Sequence, residues 1–120
     1  MTDFEITKLC AEAMGWDVYE INPGVWRIRV SDKQVMGLTD DFCSTLHDPL
    51  HDDAQAMALE DWLIERGNIA YRHYEHSMVL WFTPLNVAIS GPGQEHEFKD
   101  KAGRRRAICE CAAKMQKAKA

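Results

Sequence analysis

The chain has 120 residues, 46% of them hydrophobic, with a net charge of −5 and four cysteines. That is enough apolar material for one core in a single domain over residues 1–120, and the acidic balance argues against general nucleic-acid binding. No apolar run approaches the roughly 18 residues of a membrane span, and the opening Met1-Thr2-Asp3 is acidic rather than signal-like, so a soluble intracellular protein without a membrane partner is expected.

Thr2 and Glu5 have capping-box spacing, and behind them Ile6, Leu9, Cys10 and Ala13 recur on one helical face until Gly15 closes the helix. From Trp16 the period becomes two. Trp26, Ile28 and Val30 share one face of a strand and Arg27 and Arg29 the other, with Asn22-Pro23-Gly24 as the hairpin turn. Gln34-Val35-Met36 adds a short third strand before a loop over about 37–51. A second helix is predicted from about Asp52 to Arg66, capped by Asp52 or Asp48, stopped by Gly67, with Ala54, Ala58, Leu59 and Trp62 as its core stripe.

Residues Asn68 to His76 and Met78 to Thr83 read as a second hairpin, with Val87-Ala88-Ile89 as its continuation; Ser90-Gly91-Pro92-Gly93 breaks the sheet and a polar connection follows. The third helix is placed at about Arg104 to Lys117. Its Ala107, Ile108, Cys111, Ala112, Met115 and Ala118 form a narrow stripe of small residues suited to packing on a sheet. The whole reads as an α+β fold, an α/β/α sandwich with a central, mainly antiparallel sheet and three helices, in the order α-β-β-(β)-α-β-β-(β)-α. The outer helices are expected on opposite sides of that shared sheet. Cys10, Cys43, Cys109 and Cys111 have neither disulfide nor zinc-site spacing, so reduced thiols are expected.

Met14-Gly15-Trp16, Pro49-Leu50-His51-Asp52-Asp53-Ala54 and Ala107-Ile108-Cys109, in that order and with those elements between them, resemble the phage ABA sandwich domain family over nearly the whole chain. Members are small products of tailed bacteriophages and prophages. The resemblance implies helices on both faces of a central sheet and a place of action in the host cytoplasm. It brings no catalytic residues with it.

Four groups of residues carry enough chemistry to weigh. Asp40, Asp41, His47, Asp48, His51, Asp52 and Asp53 precede the second helix; they offer divalent-cation ligands, and as caps and first-turn acids they need no metal. His73 and His76 would face opposite sides of a regular strand. Trp16, Trp26, Trp62 and Trp81 read mainly as core, with Trp81 the one left for a ligand-facing role. Arg104, Arg105 and Arg106 fall in the predicted first turn of the last helix, where the macrodipole is already positive, so an anion is called for. Helix amides and bidentate guanidinium groups suit a phosphate or carboxylate there, with Gly103 allowing close backbone approach. Solvation, or pairing with Glu95, Glu97 and Asp100, is the competing account.

Residues 99–120 carry eight basic side chains against two acidic, whereas residues 1–98 carry six basic and 17 acidic. Such asymmetry suits an anion site or head-to-tail contacts between copies. The expectation is a non-enzymatic phage accessory protein, a binding module for a phosphate-bearing small molecule or a host protein. Its site is Arg104, Arg105, Arg106, Gly103 and Trp81, without cofactor or metal, in a homo-oligomer. Metal-assisted hydrolysis by the His47 to Asp53 cluster and charge-driven self-assembly are the alternatives.

Overall fold

Thr2 caps the first helix as its spacing predicts, its hydroxyl accepting from the Glu5 amide at 3.1 Å. The computed structural model describes residues 1–39 and 45–119, with the backbone alone at Ser90. Helix α1 covers Asp3–Ala13, and Gly15, at φ 80°, turns the chain out of it into β1. Strands β1 (Asp17–Asn22), β2 (Val25–Ser31) and β3 (Gln34–Gly37) form one antiparallel sheet, with Val18 opposite Ile28 and Ile28 opposite Met36. Helix α2 (Asp53–Ile64) follows, capped by the Asp52 carboxylate on the Gln55 amide at 2.9 Å. Strands β4 (Gly67–His73), β5 (Met78–Pro84) and β6 (Gln94–Phe98) form a second antiparallel sheet in which β5 is central. A four-residue helix α3 (Val87–Ser90) joins β5 to β6, and α4 (Lys101–Ala118) ends the described chain.

The α+β class, the order of the main elements and the antiparallel pairing are those expected. The single central sheet is not, because the six strands make two separate sheets. The outer helices also do not lie on opposite faces of a shared sheet: α1 packs directly on α4, as well as on β1, while α4 packs on β5 and β6, and α2 on α4 and β4. The helical layer therefore lies between the sheets. Small side chains allow this, since Cys10 and Ala13 of α1 meet a run of Ala and Cys on α4 in one buried cluster, with the Cys10 thiol donating to the Cys109 carbonyl at 3.3 Å.

Burial on several sides explains where the helix patterns misled. On α4, Cys109 and Ala113 are buried besides the predicted stripe, and Ala118 is exposed. On α1, Thr7 and Ala11 are buried as well as Ile6, Cys10 and Ala13, because Ala11 packs with Ile28, Met36 and Leu38 of the first sheet and its loop. On α2, the core contacts are Ala56, Leu59, Trp62 and Leu63, while the predicted core positions Ala54 and Ala58 are exposed. The apolar Val87-Ala88-Ile89 is a helical turn rather than a strand, and the third strand is the polar Gln94–Phe98, whose His96 and Phe98 point inward. Gly67 opens β4 rather than serving as a left-handed stop; a Cβ there would collide with the Thr83 carbonyl and lie 2.8 Å from the Phe82 ring.

Candidate functional site

Helix α4 begins three residues earlier than predicted. Asp100 is the N-cap, its carboxylate accepting from the Gly103 amide at 2.7 Å, so Lys101 to Gly103 form the first turn and the arginines start the second. The repulsion expected between three cations and the helix dipole is reduced accordingly, since the dipole acts mainly within the first turn. Gly103 is packed, with a Cβ there coming 2.9 Å from the Cβ of Phe98; its small size serves the approach of α4 to β6.

Each arginine has carboxylate partners, and they are not Glu95, Glu97 or Asp100. Arg104 pairs with Glu60 of α2 at 3.2 Å and lies over the Tyr71 ring, 4.9 Å from its centroid, while the Tyr71 hydroxyl donates to the same Glu60 oxygen. Burial, together with the hydrogen bond to Glu60, pushes the Tyr71 phenol up to about 12. Arg105 donates through Nε to the Leu50 carbonyl at 3.0 Å and through Nη1 to Asp53 Oδ1 at 2.7 Å, and that hydrogen bond holds the Asp53 carboxyl below its usual range. Arg106 bridges Asp3 of α1 at 2.8 Å and Glu110 one turn along its own helix at 2.9 Å. The basic end of the sequence is thus tied to acids of α1 and α2 within one chain.

Between α2 and α4 a cavity of about 280 Å³ remains, lined by Asp53, Met57, Lys101, Arg104 and Arg105. The Asp53 side chain on its rim is 69% exposed, so its bond to Arg105 stands in competition with water and dissolved anions. Trp81 is elsewhere. It alternates along β5 with the inward-facing Leu80 and Phe82, on the opposite face of the second sheet from α4, with the Arg72 guanidinium 4.9 Å from its ring centroid. The structure therefore brings Lys101, Arg104 and Arg105 together and leaves Trp81 out.

The residues before α2 are dispersed by their separate tasks. Asp52 caps α2, Asp53 holds Arg105, and Asp48 accepts from His51 Nδ1 at 2.9 Å. Among the described residues no group of three His, Cys, Asp or Glu converges on a possible metal position; Asp40 and Asp41 lie outside them, as does Cys43. His73 ends β4 and His76 lies in the turn beyond it. Cys10, Cys109 and Cys111 are free and buried, and burial pushes the Cys111 thiol up to about 12, far from the thiolate form that a nucleophile needs.

His47 was unremarkable in the sequence beyond its acidic neighbours, yet it is only 2% exposed. Its ring meets Trp16 edge-on at 5.4 Å, and neither ring nitrogen makes a well-formed hydrogen bond among the described residues, the Thr7 backbone being its one polar neighbour close enough to act as an acceptor. Burial lowers its pKa to about 4, against smaller opposing effects of the Thr7 backbone and the Asp48 charge, so the ring is neutral at physiological pH. The missed partners Glu60 and Tyr71 gave no motif, being an acid on a helix and an aromatic on a strand brought together only by the packing of α2 on β4. Comparison with protein-family models, with curated proteins and with solved structures finds no match to this chain. No described helix is long and apolar enough to cross a membrane.

Proposed function

We propose that the protein is a non-enzymatic binding module that holds a phosphate-bearing ligand in the cleft between α2 and α4. In keeping with the family resemblance, its setting is that of a phage accessory protein in the host cytoplasm. The observation that carries the reading is the cleft's charge: Lys101, Arg104 and Arg105 line a cavity of about 280 Å³ against a single exposed carboxylate, Asp53, with Glu60 already shared by Arg104 and Tyr71. A phosphate dianion carries more charge than Asp53 and matches the guanidinium fork. It also sits beside the first turn of α4, where the helix dipole adds to the attraction. Asp53 acts in this reading as an internal stand-in that a ligand displaces.

The test is a titration with inorganic phosphate followed through the amide resonances of residues 101–105. Asp53→Asn is expected to tighten binding several-fold by removing the competitor, and Lys101→Gln with Arg105→Gln to abolish it. Resonances unmoved by millimolar phosphate in both the native protein and Asp53→Asn would overturn the proposal.

A further inference from the structure

The groove on the other flank of α2 and the segment after β5 are apolar surfaces that nothing in the fold covers. We propose that they meet between copies of this chain: Leu85 of one molecule, with Val87 and Ile89 beside it, enters the groove walled by Met14, Trp16, Ala54, Ala58 and Leu59 on the next, joining the copies head to tail. The contact is separate from the α2/α4 cleft, and neither proposal depends on the other.

The first argument is the exposed knob. Leu85 is 72% exposed, Val87 62% and Ile89 57%, and residues 85–93 contain no charged side chain. Scattered exposed aliphatics are ordinary, whereas several together in one short segment make a patch of the kind that marks an interaction surface. The segment is fixed to the fold at both ends. The Leu85 amide donates to the Arg66 carbonyl at 3.0 Å, the Asn86 side chain caps α3 by accepting from the Ala88 amide at 3.1 Å, and Gly91 packs close to Ala118 of α4.

The second argument is what the groove accepts. Two polar residues line it and neither presents anything to a polar ligand: the Gln55 side chain is engaged at both ends, by the Asp48 amide at 2.6 Å and the Leu46 carbonyl at 2.9 Å, and the His47 ring nitrogens are buried. The remaining walls are apolar, and an aliphatic side chain is the occupant they suit. The groove holds about 230 Å³, whereas removing one buried leucine side chain opens a cavity of about 150 Å³, so a leucine fits with room for part of a neighbour. Ala54 and Ala58, one turn apart on α2 and both exposed, keep the mouth open where larger side chains would cover it.

The third argument identifies the partner. The chain's own knob does not reach its groove: Leu85 is tied to Arg66 beyond the C-terminal end of α2, and Ala54 lies about 15 Å back along the helix at 1.5 Å per residue. A second copy supplies the knob, and the charges match. On the exposed side of α2, Asp52 precedes Ala54 and Asp61 follows Ala58. Next to the knob stand Arg66, which meets Glu65 only across an exposed bridge of 3.5 Å, and Lys114, one turn before Ala118 on α4. Acid beside the groove and base beside the knob favour knob into groove over knob against knob, which would bring like charges together. Because the two surfaces differ, the contact is heterologous.

The test is sedimentation of the full chain over a wide range of concentration, with Leu85→Glu and Ala58→Leu, both changes at exposed positions that should leave the amide spectrum native. So small a patch lies below the roughly 1,200 Å² of stable interfaces, which makes the association weak and concentration-dependent. The native protein is expected to gain mass as it is concentrated, and each variant alone to stay monomeric. An equimolar mixture of the two variants should form a dimer and stop there, since Ala58→Leu retains a knob and Leu85→Glu a groove. A native protein that stays monomeric throughout would overturn the proposal. So would Ala58→Leu associating as the native chain does, which would mean that the knob meets itself, or a mixture no heavier than its two components.

Discussion

Two flanks of α2 handle buried polar groups in opposite ways. On the flank toward α4, Glu60 is answered by Arg104 and Tyr71, and Asp53 by Arg105. On the flank toward Trp16, His47 is buried with neither nitrogen partnered among the described residues and remains neutral instead. The first solution keeps the charges and pairs them, leaving only Arg104 Nε buried without a partner among the described residues on that flank; the second gives up the charge. A network of the first kind holds elements together, whereas a neutral buried group of the second kind makes stability depend on pH.

The largest consequence is in acid. The unfolded chain protonates His47 near 6.5, but the folded protein does so only near 4. Between those values the unfolded state binds the extra proton, so stability is full above about 6.5 and falls as pH drops toward 4. The loss amounts to about 3 kcal/mol at 1.36 kcal/mol per pKa unit. His96, also lowered chiefly by burial, contributes with the same sign. Denaturant unfolding of the native protein and His47→Phe across this range separates the two, and an equal pH slope in both proteins would mean that His47 is not buried neutral. Asp53, whose pKa is lowered from an ordinary value of 3.8, acts only in a more acidic window and does not confuse the reading.

Substituting one aromatic on each flank by phenylalanine sharpens the contrast. Tyr71→Phe removes a hydrogen bond to a charged carboxylate that is itself only 16% exposed, and is expected to cost about 2 kcal/mol. His47→Phe at neutral pH removes two unsatisfied nitrogens and should leave stability unchanged or raised by about 1 kcal/mol. Thermal melts should therefore show a clear drop for Tyr71→Phe and none for His47→Phe. A comparable drop in both would show that His47 has partners holding it in place as Tyr71 does.

The sequence disclosed those features that depend on neighbours along the chain. The caps at Thr2 and Asp52, the turn at Asn22-Pro23-Gly24 and the two hairpins all follow from short-range chemistry, and all are present. What it concealed depends on layers. A helix buried on one face shows a stripe, but α4 is packed by α1, α2 and the second sheet together, so Cys109 and Ala113 are core while outside any single stripe. The same reasoning placed Ala54 and Ala58 in the core, where a small apolar side chain is equally at home on a solvent-lined groove. The segregation of acid and base along the chain was visible. Its resolution into pairs between α4 and the acids of α1 and α2 was not, since it requires knowing that those helices touch.

The smallest expected effect lies at the edge of the charged network. Arg106 bridges Asp3 and Glu110, yet its side chain is 45% exposed and that of Asp3 63%. Water and salt screen such a bridge, and ordering a long side chain costs entropy that offsets the attraction. Arg106→Gln should thus lower stability by less than about 1 kcal/mol, and the difference from the native protein should disappear as salt is raised to molar concentration. Arg104→Gln is the informative partner measurement. It strips the cation from a carboxylate that is largely buried and already shared with Tyr71, so its cost should be larger and should persist in high salt. If both variants lose stability equally and both losses vanish with salt, the two bridges are alike, and burial of Glu60 contributes nothing that distinguishes this flank of α2 from the open surface.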